Sequence, residues 1–292
     1  MDTHLLMTVG DDPSALYGIR FVAGFFKNKD RTRLTVCYIA SQPASVWADE
    51  LNHERVTQME QQSKAFEKKG HQALNKAKAK LVAGGFPEGK IETKLLFRQN
   101  TKATDIIQEA ERGLYDAVVL GRRGLSRLEE ALLNESVSKS LFCEESMAPL
   151  WICRKPDPDR TGILLCVDGS EPAFRMADHV GYVAAKEKQH PVTILRVVKP
   201  GESADAAQDK ALSHAKLLLQ ENEYPEDLIS TKIVVHKSPS EAILQEAEQG
   251  GFAVVATGRS GAGGCSLKNI FFGSLSYSLF RDLRKAVLWV SR

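Results

Sequence analysis

The chain contains the same piece of sequence twice. IIQEAERGLYDAVVLGRRG, from Ile106 to Gly124, aligns without a gap with ILQEAEQGGFAVVATGRSG, from Ile243 to Gly261, sharing QEAE and GR-G in register, with an AVV in each copy one residue out of step. Flanking pieces follow in the same order. IETKLLF from Ile91 pairs with ISTKIVV from Ile229, PLWICR from Pro149 with VLWVSR from Val287, and LLMTVGDDPSA from Leu5 with LLCVDGSEPAF from Leu164. A repeat this long, present twice, is a duplicated domain rather than a solenoid of small units. Whatever fold one half adopts, the other must adopt as well.

The seam falls in RKPDPDRTG, from Arg154 to Gly162, whose two prolines, alternating charge and glycine suit an exposed linker. It divides the chain into residues 1–158 and 159–292, with the boundary near Asp159. Two domains of roughly 150 residues are an ordinary size.

Within each half, short apolar runs alternate with helical patterns. The first half gives strands at Leu5–Val9, Arg33–Ile39, Ile91–Phe97, Ala117–Leu120 and Leu150–Cys153; the second at Ile163–Val167, Val192–Val198, Ile229–Val235, Ala253–Thr257 and Val287–Val290. Helices of the second half fall at Pro172–Lys188, Ala204–Asn222, Pro239–Gln249 and Gly273–Leu283. Continuous apolar runs mean strands buried on both faces, and strand–helix alternation means a parallel sheet covered on each side. The fold class is therefore α/β: two tandem, doubly wound, Rossmann-like domains, each on a five-stranded parallel sheet. One helix is unusually long. Val56, Met59, Ser63, Phe66, Gly70, Leu74, Ala77 and Leu81 recur at helical spacing and predict a helix from about Ala48 to Val82. Such a stripe is first of all a packing face, and its excess length leaves a partner contact open.

Composition excludes several functions. A net charge of +2 with acids and bases interspersed leaves no basic face for nucleic acid. No apolar run approaches the roughly 18 residues of a membrane span, and MDTHLLMTVGDD lacks the basic start of a secretory signal. The five cysteines form no C-x-x-C pair, and Cys37, Cys153 and Cys166 sit in apolar runs where a reduced, buried thiol is expected. These features describe a cytoplasmic protein without structural disulfides or zinc. His179, His190, His214 and His236 show no metal-ligand spacing and are expected in the core or on the surface. Ser170 has no histidine and aspartate partners that would make it a nucleophile.

The one concentrated chemical signal is GRSGAGGCSLKNIFFGS, Gly258 to Ser274, which follows a strand and opens the last helix. Ligands of parallel α/β folds bind beyond the carboxyl ends of the strands, and a helix N-terminus suits an anion. Gly258, Gly261 and Gly273 would let the backbone approach a phosphate, and Ser274 could cap the helix or donate to it. A Walker A loop is excluded, since no glycine precedes Lys-Ser or Lys-Thr, and a G-x-G-x-x-G is absent after the first strand. A merely flexible turn accounts for the glycines equally well.

In this order, strand, G-x-x-G, spacer and G-S resemble the nucleotide-binding signature of the universal stress protein family, G-x2-G-x9-G-[ST]. LLCVDGSEPAF, TILRVV and the final LWV strand agree with that family too, and the resemblance extends over both halves. It implies an adenine-nucleotide α-hydrolase-like fold that binds ATP, with magnesium allowed alongside although no protein ligand for it can be named. Carried onto the second half, Asp168 matches the aspartate beside adenine and ribose, and Val197 the position whose backbone meets the adenine edge. Gly258 and Gly261 match the glycines flanking ribose and phosphate; Gly273 and Ser274 match the Gly-Ser around the phosphates. The spacer Ala262–Phe272 is two residues longer than the family pattern, with Gly263-Gly264 as the insertion. The Asp168–Pro172 stretch also reads simply as a helix start, with Ser170 as N-cap and Pro172 in the first turn.

The first half looks degenerate. Aligning Pro13 with Pro172 puts Val9 in the place of Asp168, and Asn134 or Glu135 replaces the third glycine. Glu135 would repel a phosphate, and Arg122, Arg123 and Arg127 read as partners of Glu129 and Glu130. The first domain is thus expected to have lost nucleotide binding and to persist for packing. The resemblance further implies that the final strands, Leu150–Cys153 and Val287–Val290, meet to form an intrachain pseudo-dimer, with a homodimer of whole chains also allowed. The leading function is a non-enzymatic, ATP-binding stress-response protein. The alternatives are an interaction module in which both sites are vestigial, and an adenylate-using enzyme, for which no catalytic residues are evident.

Overall fold

The fold is described from a computed structural model for residues 2–10, 13–42, 53–121, 148–202, 205, 209–259 and 274–291. Ten strands follow one another as β1 (Thr3–Val9), β2 (Thr32–Ala40), β3 (Ile91–Phe97), β4 (Ala117–Gly121), β5 (Leu150–Cys153), β6 (Thr161–Val167), β7 (Val192–Val198), β8 (Ile229–Val235), β9 (Phe252–Gly258) and β10 (Val287–Ser291). Seven α-helices lie among the described residues: α1 (Tyr17–Phe25), α2 (His53–Ala83), α3 (Lys102–Gly113), α4 (Glu171–Ala184), α5 (Lys210–Glu221), α6 (Pro239–Gln249) and α7 (Ser274–Asp282). The apolar runs thus become strands within two residues of their expected ends. The helix expected at Pro172–Lys188 stops at Ala184, and the one expected from Ala204 is helical from Lys210.

The two expected five-stranded sheets are one. Strand order is β3-β2-β1-β4-β5-β10-β9-β6-β7-β8, parallel within each half. The junction is the antiparallel pair β5/β10, with Leu288 opposite Ile152, Trp289 opposite Trp151 and Val290 opposite Leu150. The final strands therefore meet as the resemblance implied. Because that pair is antiparallel, the carboxyl ends of the two halves point to opposite edges of the sheet.

Central strands are buried on both faces, as continuous apolar runs require. The outermost strands differ: β3 and β8 are largely half-buried or exposed, which follows from their place at the sheet edges. One face packs against α1, α2, α4 and α5, the other against α3, α6 and α7. At the junction the first face carries Trp151 and Trp289, fully buried, with ring centroids 4.1 Å apart and planes within 6°. Such a pair adds about 0.5–1.5 kcal/mol beyond its area burial. Trp151 Nε1 donates to Nε2 of His179 at 3.1 Å, so His179 fastens one half to the other from inside the core. His190 stacks on Phe25 at 4.0 Å, and buried Glu187 accepts the backbone N–H groups of Lys27 and Asn28 at 2.7 and 3.1 Å.

Helix α2 fulfils its packing expectation only in part. Gly70, Leu74, Ala77 and Leu81 are buried against the sheet and Phe66 is half-buried, but Val56 is 39% exposed. The sheet is shorter than the helix, so the first turns run past it. Residues 48–52 lie outside the described residues. The stretch between β5 and β6, expected as an exposed linker, is partly docked. Asp157 N donates to Lys285 O at 2.8 Å, and Arg160 Nη1 to Ala247 O at 3.0 Å, with the Arg160 side chain only 9% exposed.

The sheet register corrects one alignment. Leu5 pairs with Ala117, and Ile163 pairs with Val254. Ala117 and Val254 are equivalent in the gapless repeat, so Leu5 is the counterpart of Ile163 and Val9 that of Val167. Both Val9 and Val167 are buried in the same core cluster. The residue standing where Asp168 stands is therefore Gly10, not Val9. Anchoring the alignment on proline failed because the first half's loop is one residue shorter between strand and proline.

Candidate functional site

The carboxyl edge of the second half is built by three neighbouring strands and two helix starts. Strand β6 ends at Val167, and exposed Asp168 follows it directly. The chain then turns at Gly169, whose φ of +87° is a left-handed conformation that glycine adopts without strain. Asp168 Oδ1 accepts Ser170 N at 2.9 Å and Ser170 Oγ at 2.5 Å. Ser170 does occupy the N-cap position of α4 with Pro172 in the first turn, but its hydroxyl turns back to Asp168 and makes no cap bond. The loop is thus organised by the carboxylate rather than by the serine.

Val197 is half-buried near the end of β7. The register sets Val167 opposite Arg196, which brings Val197 beside Asp168 at the next position. Arg196 Nε lies 3.5 Å from Asp209 Oδ2, while Asp209 Oδ1 accepts Ala211 N and Leu212 N at 2.9 and 3.0 Å and caps α5. A Cβ on Gly169 would lie 3.7 Å from Ala211 Cβ, so the Asp168 loop rests against the start of that helix.

Gly258 ends β9 and is buried. A Cβ there would come within 3.0 Å of Pro172 C, Ala173 N and Ala173 Cα, the backbone of α4's first turn. Packing alone therefore demands this glycine. Ser291 Oγ donates to Pro172 O at 2.7 Å, and Arg259 N to Ser291 O at 2.7 Å, closing the same corner. Ser274 is exposed at the first position of α7. Two residues on, fully buried Ser276 donates from Oγ to Gly258 O at 3.4 Å and ties the helix start to β9.

Asp168, Val197 and Gly258 thus share one edge, with Ser274 joined to it through Ser276. Gly261, Gly273 and the spacer Ala262–Phe272 lie outside the described residues, as do Arg122, Arg123, Arg127, Asn134 and Glu135 of the first half. Ser276, Arg196 and Asp209 escaped the sequence reading. Ser276 carries no motif signal, whereas Asp209 before an apolar helical pattern is an ordinary cap signature. In the first half, the counterparts of Asp168, Val197 and Gly258 by register are Gly10, Ile39 and Gly121.

Cys37, Cys153 and Cys166 are free and buried, and burial pushes their thiols up, that of Cys37 to about 12. Burial pushes His179 down to about 3 from its ordinary 6.5, so the group that accepts from Trp151 is a neutral imidazole. No cluster of His, Cys, Asp and Glu suited to a metal ion occurs among the described residues, and no helix among them is long and apolar enough to cross a membrane.

Two doubly wound α/β units, joined through their last strands, place this chain in the class of tandem parallel-sheet proteins. The universal stress protein family model matches residues 1–143 and again residues 160–291. The chain belongs to the universal stress protein family. No curated protein matches it. Among solved structures, a universal stress protein from Archaeoglobus fulgidus DSM 4304 is similar over 99% of this chain and 98% of that one, with 19% identity and a TM-score of 0.65. A protein of unknown function from Pseudomonas aeruginosa PAO1 is similar over 99% of this chain and 92% of its own, with 14% identity and a TM-score of 0.54. A universal stress protein from Archaeoglobus fulgidus in complex with dAMP is similar over 45% of this chain and 98% of its own, with 19% identity and a TM-score of 0.36.

Proposed function

We propose that residues 159–292 bind an adenine nucleotide, ATP in the first instance, and that the cytoplasmic protein acts through the surfaces it presents in its free and bound states rather than by efficient catalysis. The observation that supports this is the convergence at one edge. Asp168, Val197 and Gly258 lie at the carboxyl ends of adjacent strands, and α7, which opens at Ser274, is pinned to Gly258 through Ser276. Asp168 supplies an acceptor for ribose hydroxyls, the Val197 backbone meets the adenine edge, and the start of α7 meets the phosphates. Magnesium would accompany the triphosphate through its own oxygens and water. Residues 1–158 contribute no equivalent site, since Gly10 offers no acceptor where Asp168 does.

A second reading, an interaction module without nucleotide, draws on Gly258. Its glycine is explained by contact with α4 and so is not by itself a sign of a ligand. Titration calorimetry of the full chain with ATP and magnesium separates the two. One nucleotide per chain, lost in Asp168→Ala, is the expected result. Absence of heat from folded, nucleotide-free protein would favour the interaction module.

A further inference from the structure

Arg154 follows the last residue of β5 and belongs by sequence to the first half, yet it grips the second. Its Nη1 donates to Phe280 O at 2.6 Å and to Arg281 O at 2.5 Å, and its guanidinium stands 5.5 Å from the centroid of the Phe280 ring. The antiparallel junction explains the reach. With Ile152 opposite Leu288, chain leaving β5 must pass the turn that leads from α7 into β10. Phe280 and Arg281 lie in the last turn of α7, where carbonyls lack intrahelical partners and carry the negative end of the helix dipole. A guanidinium bonded to two of them is a C-terminal clamp, and Arg284 Nη1 adds a bond to Arg281 O at 2.9 Å.

The opposite end of α7 is Ser274. The helix has nine residues, about two and a half turns. Its start is held by Ser276 on Gly258, its middle by fully buried Leu279, and its end by Arg154. We propose that Arg154 is a positioning residue for the nucleotide site. Through it the first half, which has no site of its own, fixes the helix that presents Ser274 and so sets the affinity of the second half for phosphate. This rests on the nucleotide reading above and adds a role for the first half to it.

The test compares ATP and adenosine binding by full-length wild type, Arg154→Ala and Arg154→Lys, with hydrogen exchange followed in α7. Because only the phosphates meet α7, Arg154→Ala should weaken ATP about tenfold, leave adenosine within about twofold, and speed exchange in α7 but not in β6 or β9. Arg154→Lys, which retains a donor and the charge, should recover part of the ATP affinity. Unchanged ATP affinity, or an equal loss for ATP and adenosine, overturns the proposal while the nucleotide reading stands. A wild type that binds neither ligand overturns both. Should Arg154→Lys be the only variant that folds, it decides alone, since an ammonium on a flexible stem lacks the planar, preorganised guanidinium that stands against Phe280 while bonding both carbonyls; wild-type affinity and wild-type exchange in α7 would then refute it.

Discussion

Gly258→Ala separates what packing requires from what a ligand requires. The added methyl would fall within 3.0 Å of three backbone atoms of Pro172 and Ala173. These atoms are held from another side by Ser291 Oγ on Pro172 O. No side-chain rotation relieves the overlap, so either β9 or the first turn of α4 must move. Overpacking a close-packed interior costs about 1–3 kcal/mol, and a backbone contact on a strand flanked by β6 and β10 puts this substitution near the upper figure. With a urea slope of about 2–3 kcal/mol per molar, the unfolding midpoint should fall by about 1 M. The assay is urea unfolding of nucleotide-free protein, followed by the fluorescence of the buried Trp151–Trp289 pair. An unchanged midpoint would refute the packing argument and return Gly258 to the ligand alone.

Other consequences are equally open to test. Trp151→Ala removes half of the stacked pair and the donor to His179, and should cost about 3–5 kcal/mol in thermal or chemical unfolding; a loss under about 1 kcal/mol would deny the junction its place in the core. Stability should fall as pH drops through the window from 6.5 toward 3, because unfolded His179 takes up a proton that the buried, neutral imidazole refuses. The slope contributed approaches about 1.4 kcal/mol per pH unit, and His179→Gln, which accepts a hydrogen bond but does not titrate, should reduce it between about pH 6.5 and 5. Gly10→Asp should be tolerated within about 0.5 kcal/mol, since among the described residues a Cβ there meets nothing nearer than Ala15 Cβ at 3.8 Å; a larger loss in melting experiments would contradict the open space at Gly10.

The strands were legible because each is a short apolar run fixed twice over by the repeat, and β3, β5, β7 and β8 begin and end where the pattern does. The Asp168 and Val197 positions were legible too, being set by strand ends. What stayed hidden depends on contacts between distant segments. No pattern along β9 reveals that its last residue touches the backbone of α4, so Gly258 read as a ligand signal when packing also demands it. The proline that seemed to align the halves lies beyond a loop of unequal length, and only strand pairing showed that Val9 belongs with Val167. The composition of Arg154–Gly162 correctly suggested solvent contact, but not that Arg154 and Arg160 turn inward onto the carbonyls of α7 and α6.

The asymmetry between the halves is the central claim, and photolabelling tests it directly. Full-length protein would be irradiated with an azido-adenine nucleotide with and without excess ATP, and the labelled peptides mapped. Label on peptides around Val197 and Asp168, displaced by ATP, with the Ile39 and Gly10 peptides unmarked, is the predicted result. Equal labelling of both halves, or label that ATP does not displace, would contradict it.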